Sequence, residues 1–157
     1  MSKFEFALNL IEDCRGVEQG AERHPEGDVF IHSLQVMRHA LRESEDVDLI
    51  LAAILHDVGK KINTLGHEGI AEDLLRSCLF FSEKTLWLVK HHLRVRYMLD
   101  GIMQKRGKVR YLTDHKWFPE LCLLSRWDKA GRRAGYIPKY DREKVIERLI
   151  KLDKEKV

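Results

Sequence analysis

At 157 residues the chain is long enough to bury roughly two thirds of the surface its unfolded form exposes, so it needs neither a disulfide nor a metal merely to fold. Its three cysteines, Cys14, Cys78 and Cys122, are widely separated and form no C-x-x-C pair, which argues against a disulfide framework and a zinc ribbon and for a reducing cytoplasm. A net charge of +3 is too small to imply nucleic-acid binding by itself, and the chain shows neither a signal-peptide pattern nor an apolar run long enough to span a bilayer, so a cytoplasmic protein with no membrane contact is expected.

Apolar residues recur with the helical period throughout, and no segment alternates strictly over a strand's length, so the expected fold is all-α, one domain over residues 1–157. Phe4, Ala7, Leu8, Ile11 and Cys14 predict a first helix over 3–15, stopped near Gly16. Asp28 is placed to cap a second, which turns Ile31, Leu34, Val36, Met37, Ala40 and Leu41 inward and runs to Arg42. Asp46 caps a third. Its run Leu49–Leu55 is apolar nearly all round, which predicts a helix at the centre of the domain, with His56-Asp57 at its end.

Gly59 to Gly66 reads as a loop, and His67 to Cys78 as a fourth helix with Ile70, Ala71, Leu74 and Leu75 inward. Ser82 caps a fifth, expected from Glu83 to about Leu93 and ending in His91-His92. Arg94 to Thr113 suggests a short helix and a turn at Gly107. A helix from near Trp117, with Pro119 in its first turn, runs through Leu121, Leu124 and Trp127 to Gly131. The last, over 141–155, carries Val145, Ile146, Leu149, Ile150 and Leu152.

Charge is uneven along this path. Lys90, Arg94, Arg96, Lys105, Arg106, Lys108 and Arg110 stand against a single acid, Asp100. The 90–110 segment either draws phosphate or RNA through its field or is an ordinary solvated face; both readings stay open.

His56-Asp57 is the pair that demands a partner, because an unpaired buried polar group costs roughly 2–7 kcal/mol. Two consecutive helical side chains leave the axis about 100° apart, so both reach one ion only if it lies over the seam between them. His32, one turn into its helix, can point inward, and Asp128 stands at the inner end of the Leu121–Trp127 run. These mixed imidazole and carboxylate donors suit a divalent ion such as manganese, iron, nickel, cobalt, zinc or magnesium, although their spacing forms no local metal motif.

The order His32, His56-Asp57, Asp128 resembles the H, HD, D signature of the HD-domain metal-dependent phosphohydrolases, an all-helical family. The resemblance extends to four blocks in order: His56-Asp57-Val58-Gly59-Lys60, Gly66-His67-Glu68-Gly69-Ile70-Ala71, Leu88-Val89-Lys90-His91-His92-Leu93-Arg94 and Leu124-Ser125-Arg126-Trp127-Asp128. Over about residues 28–135 they look like the HD domain of bacterial CCA-adding enzymes and related poly(A) polymerases. The nucleotidyltransferase head of those enzymes has no counterpart here. Trp127 stands where that family more often has alanine, either narrowing the site or packing in the core.

The resemblance implies an HD-type helical bundle around the helix that ends in His56-Asp57. It implies that His32, His56, Asp57 and Asp128 hold one metal. In dinuclear relatives two further histidines bind a second metal and the HD aspartate bridges; His67 and one or both of His91 and His92 match those two. The position of Lys60 is often functional in the family, so Lys60 is expected to bind a phosphate oxygen or assist the leaving group, with a solvated lysine beside Lys61 as the alternative. Arg94, Lys129, Arg132 and Arg133 follow as phosphate contacts of second rank or as surface charge. His24, His39 and His115 receive no role, and the cysteines read as core residues.

A divalent ion ionises water near neutral pH and offsets charge on phosphoryl oxygens. The implied activity is therefore phosphohydrolysis of a nucleotide, a cyclic nucleotide or an RNA-terminal phosphate, of phosphomonoesterase or 2′,3′-cyclic phosphodiesterase type. A non-catalytic nucleotide- or RNA-binding module is the alternative, and a di-iron oxygenase a third reading. No P-loop, G-x-S-x-G elbow or H-E-x-x-H is present; His67-Glu68 begins like the last, but position 71 is Ala71.

Overall fold

The computed structural model describes residues 1–156, which form eight α-helices and, among those residues, no strand. They are α1 (Lys3–Glu12), α2 (Val29–Glu43), α3 (Val47–Leu55), α4 (His67–Ser77), α5 (Glu83–Leu99), α6 (Arg106–Thr113), α7 (Phe118–Ala130) and α8 (Arg142–Glu155). A 3-10 turn, Val58–Lys61, joins α3 to the loop before α4. No described helix is long and apolar enough to cross a membrane.

Every residue of α3 is buried, as its all-round apolar pattern predicts. α1, α2, α5, α7 and α8 pack around it, and one contiguous hydrophobic core takes residues from all eight helices. Each fully buried leucine or isoleucine in that core stabilises the fold by roughly 1.5–3 kcal/mol relative to exposure. The expected caps form. Asp28 Oδ1 accepts from the Ile31 N–H at 2.8 Å while Oδ2 accepts from Gly16 N–H at 2.8 Å, tying the α1–α2 connection to the start of α2. Asp46 accepts from Asp48 and Leu49 at 3.1 and 3.3 Å, and Ser82 from Thr85 at 3.1 Å.

Several boundaries differ from the sequence reading. α1 ends at Glu12 and a turn follows. α5 continues past Leu93 to Leu99, because Val95 and Met98 extend its inward stripe and no glycine or proline intervenes before Gly101. His91 and His92 are therefore inside a helix, not at its end. Gly107 lies in the first turn of α6 and makes no turn of its own. In α2, Ile31 is only half-buried, while His32, Ser33 and Gln35 are fully inside.

Two glycines let helix ends approach closely. A Cβ on Gly59 would collide with the His67 carbonyl oxygen, so the 3-10 turn can lie against the N-terminus of α4 only with glycine there. A Cβ on Gly131 would sit 2.6 Å from Val36 Cγ2, so the end of α7 reaches α2 only without one. Both approaches bring candidate ligands together.

Candidate metal centre

Five segments converge at the C-terminal end of α3. α2 supplies His32, the end of α3 His56 and Asp57, α4 its first residue His67, α5 His92, and α7 Asp128; all six are at most 4% exposed. His32 Nε2 lies 2.9 Å from Asp128 Oδ1, 3.2 Å from His56 Nε2 and 3.4 Å from Asp57 Oδ2. His56 Nε2 lies 3.2 Å from Asp57 Oδ2 and 3.4 Å from Asp128 Oδ1. The other oxygen of Asp57 faces a second group: Oδ1 is 3.0 Å from His67 Nε2 and 3.5 Å from His92 Nε2, and those nitrogens are 3.2 Å apart. Each group has the ligand atoms and spacing to hold a metal ion.

The break at the end of α3 makes this geometry possible. His56 keeps helical angles, φ −58° and ψ −30°, but Asp57 turns to φ −109° and ψ 5°. That bridge-region backbone swings its carboxylate off the helical course, so its oxygens divide between two sets of imidazoles.

The second nitrogen of every ring is tied to a main-chain carbonyl. His32 Nδ1 meets Gly131 O at 2.9 Å, His56 Nδ1 meets Ala53 O at 2.8 Å, His67 Nδ1 meets Thr64 O at 2.9 Å, and His92 Nδ1 meets Val89 O at 2.7 Å. A carbonyl only accepts, so each Nδ1 donates its proton and a neutral ring turns its Nε2 lone pair inward. Lone pairs facing carboxylate oxygens repel unless a proton or a cation stands between them.

Electrostatics follows from that arrangement. Burial favours the neutral form of His56, but Asp57 and Asp128 outweigh it and lift its pKa to about 10. His32 is raised in the same way against its burial, by Asp128 and Glu26. Burial also opposes ionisation of Asp57 and Asp128, yet His56 at the first and His32 at the second hold these carboxyls well below their ordinary range. At His92 burial prevails and the pKa falls. Two carboxylates in a dry site need two positive charges close by, and a divalent ion surrounded by neutral imidazoles supplies them; the donor set fits such an ion.

Around the centre the other predicted residues divide. Lys60 is anchored, not solvated: its Nζ donates to Gln19 Oε1 at 2.7 Å and lies 3.3 Å from Asp57 Oδ2. Arg132 folds back on α7, its Nε donating to the Asp128 carbonyl at 3.2 Å and its Nη1 to the Arg23 carbonyl at 3.2 Å, with Nη2 3.5 Å from Asp128 Oδ1. Arg133 turns elsewhere, its guanidinium over the Tyr136 ring at 5.2 Å. Lys129 pairs with Asp100 at 3.0 Å on the surface. Arg94 reaches His91, Nη1 to Nδ1 3.3 Å.

His91 does not join the centre. One residue from His92 is about 100° around the helix, and its ring packs against Trp87 and Tyr111 at centroid distances of 4.7 and 5.5 Å. Burial, with Arg94 and Lys90 adding to it, lowers its pKa to about 4. Trp127 is fully buried in the core.

The sequence reading missed Glu26 and Gln19 and gave His24 no role. Glu26, buried in the loop before α2, has Oε2 3.1 Å from His32 Nδ1 and 3.4 Å from His24 Nδ1. It backs a candidate ligand from behind, as carboxylates commonly do for metal-bound histidines. Between Pro25 and Gly27 a glutamate reads as part of a solvated turn, so nothing local marked it.

The helical frame and this site define a class. A family model described as HD domain matches residues 29–132, most of the chain, and the protein belongs to that family, within the metal-dependent phosphohydrolase superfamily. Its similar relatives include the Multifunctional CCA proteins of Burkholderia mallei and Burkholderia pseudomallei, each 37% identical over 76 residues, a stretch that is 44% of this chain and 18% of theirs. That of Paraburkholderia phytofirmans is also 37% identical over 76 residues. The chain thus matches less than a fifth of the length of these curated relatives, and the resemblance drawn from the four motif blocks holds.

Proposed function

We propose that this protein, a single HD domain over residues 1–157, is a two-metal phosphohydrolase that releases a terminal phosphate from, or opens a cyclic phosphate on, a nucleotide or RNA end. The observation that carries the reading is the divided carboxylate of Asp57, with Oδ2 toward His32 and His56 and Oδ1 toward His67 and His92. His32, His56, Asp57 and Asp128 would hold one divalent ion, and Asp57, His67 and His92 the other. Ions bound there supply Lewis acidity, which ionises water near neutral pH and offsets charge on a phosphoryl group.

The chain's own residues do the rest. Gln19 holds the Lys60 ammonium beside Asp57, where it can take a phosphoryl oxygen or steady the leaving group. Arg132, braced on Asp128 and Arg23, presents a guanidinium at the other rim. Arg94, Lys129 and Arg133 have other partners, His91, Asp100 and Tyr136, and take a lesser part. The name of the relatives, Multifunctional CCA protein, favours a nucleotide-bearing substrate. The three free cysteines favour a reducing cytoplasm as its compartment.

The test is turnover. Protein reconstituted with manganese, nickel or cobalt is expected to hydrolyse p-nitrophenyl phosphate and adenosine 2′,3′-cyclic phosphate, and the Asp57→Ala variant to fall to background. Equal rates in the two proteins would overturn the proposal.

A further inference from the structure

We infer that the cleft between α5 and α6 is a subsite for single-stranded RNA, receiving the nucleotide next to the phosphate at the metal centre. The inference rests on the phosphohydrolase reading for its direction, since it extends that substrate away from the reacting group. The cleft encloses about 710 Å³, within the ordinary range of ligand sites. Met103 and Leu112 contribute apolar surface, and Tyr97 and Tyr111 line it while 41% and 52% exposed. Exposed aromatic rings beside an apolar floor offer a stacking platform for a base.

The basic segment brings unmatched positive charge to this cleft. Lys90 pairs with Glu72 at 3.5 Å, Arg96 with Asp100 at 3.9 Å and Lys129 with Asp100 at 3.0 Å. Among the described residues no carboxylate pairs with Arg94, Lys105 or Lys108, and all three line the cleft. Lys105 and Lys108 are free for phosphates, and Arg94 keeps one hydrogen bond, to His91.

Glu68 links the cleft to the metal centre. It lines the cleft and directly follows His67, and its Oε2, 3.9 Å from His67 Nδ1, is buried with no hydrogen-bond partner. An acceptor left in that state lacks a donor. A ribose hydroxyl supplies one, and only RNA carries it at the 2′ position.

Equilibrium binding tests this without requiring turnover. The probe is a fluorescein-labelled hexa-adenylate ending in a 3′-phosphorothioate, followed by anisotropy with manganese present. Tyr111→Ala and Tyr97→Ala are each expected to weaken binding about five-fold or more, as loss of a stacked base does. The Lys105→Ala, Lys108→Ala double variant should reduce the slope of log K against log salt by about 1.4, roughly 0.7 for each phosphate no longer neutralised. The Glu68→Ala variant should abolish a preference for the ribo- over the deoxyribo-probe. Arg126→Ala, on another face and paired with Glu43, is the control and should match wild type. Wild-type affinity and salt slope in the tyrosine and lysine variants would overturn the subsite, and equal wild-type binding of the two sugars would remove Glu68 from it. If these differences stand while wild type fails to hydrolyse p-nitrophenyl phosphate, the hydrolase reading alone fails.

Discussion

The metal centre and the α5–α6 cleft share a border at His67-Glu68, yet they hold charge in opposite ways. At the centre two carboxylates and four imidazoles are at most 4% exposed, and neighbours lie within 3.5 Å. In the cleft Arg94, Lys105 and Lys108 are exposed and free of carboxylates among the described residues. Charges inside a low-dielectric cage must be matched one for one, because each uncompensated one costs several kcal/mol. Charges in water need no permanent partner and act only within about 8 Å at physiological salt. The first arrangement suits small ions held in fixed geometry, the second a flexible polyanion.

The largest expected effect breaks the centre at its shared member. Asp57→Ala removes a ligand atom from both groups, so elemental analysis of protein reconstituted with manganese should show both ions lost while circular dichroism keeps its helical signal. Retention of a full complement would mean that Asp57 does not join the two groups.

A smaller effect should come from behind the ligands. Glu26→Gln replaces the carboxylate that faces His32 Nδ1, and such outer partners typically contribute 10- to 100-fold in metal affinity. Calorimetric titration with manganese reads this loss, and an unchanged Kd would reduce Glu26 to a loop residue.

Acidity sharpens the comparison further. The His56 pKa in the folded, metal-free protein, about 10, stands above its ordinary 6.5. Its contribution to stability is therefore complete below pH 6.5 and is lost as pH rises through about 10. Metal ions must displace the same proton, so metal affinity should climb with pH across that window, while binding of a hexa-adenylate without the terminal phosphorothioate to metal-free protein should not follow it. Titrations at successive pH values check both, and a flat metal curve would contradict the protonated centre.

The mildest effect is on the frame. Gly131→Ala forces a Cβ against Val36 and should cost about 1–3 kcal/mol in urea unfolding, with a weakened His32 bond to the Gly131 carbonyl as its local consequence. Unchanged stability would show that the α2–α7 packing relaxes freely.

Much of the frame was legible in the chain itself. The all-round apolar run of α3, the caps Asp28, Asp46 and Ser82, and Pro119 at the start of α7 act through neighbours a few residues away, which is why periodicity and cap chemistry found them. The extent of α5 was not, because charged Arg94 and Arg96 hide the inward stripe that Val95 and Met98 continue. Candidate ligands were legible only as residue types in a family order. His32, His56, Asp57, His67, His92 and Asp128 come from distant points of the chain, and no spacing states that they meet.

The order of residues along the chain thus carried the helices, the buried central one and a set of candidate metal ligands with the family they indicate. Tertiary structure alone decided that His92 faces the centre while His91 faces Trp87 and Tyr111, that Glu26 stands behind His32, and which cations of the basic segment remain unpaired. The reason is geometric. Local sequence sets where a helix starts and how its residues are phased, about 100° apart, but only packing against the other helices sets which of those directions points at which neighbour.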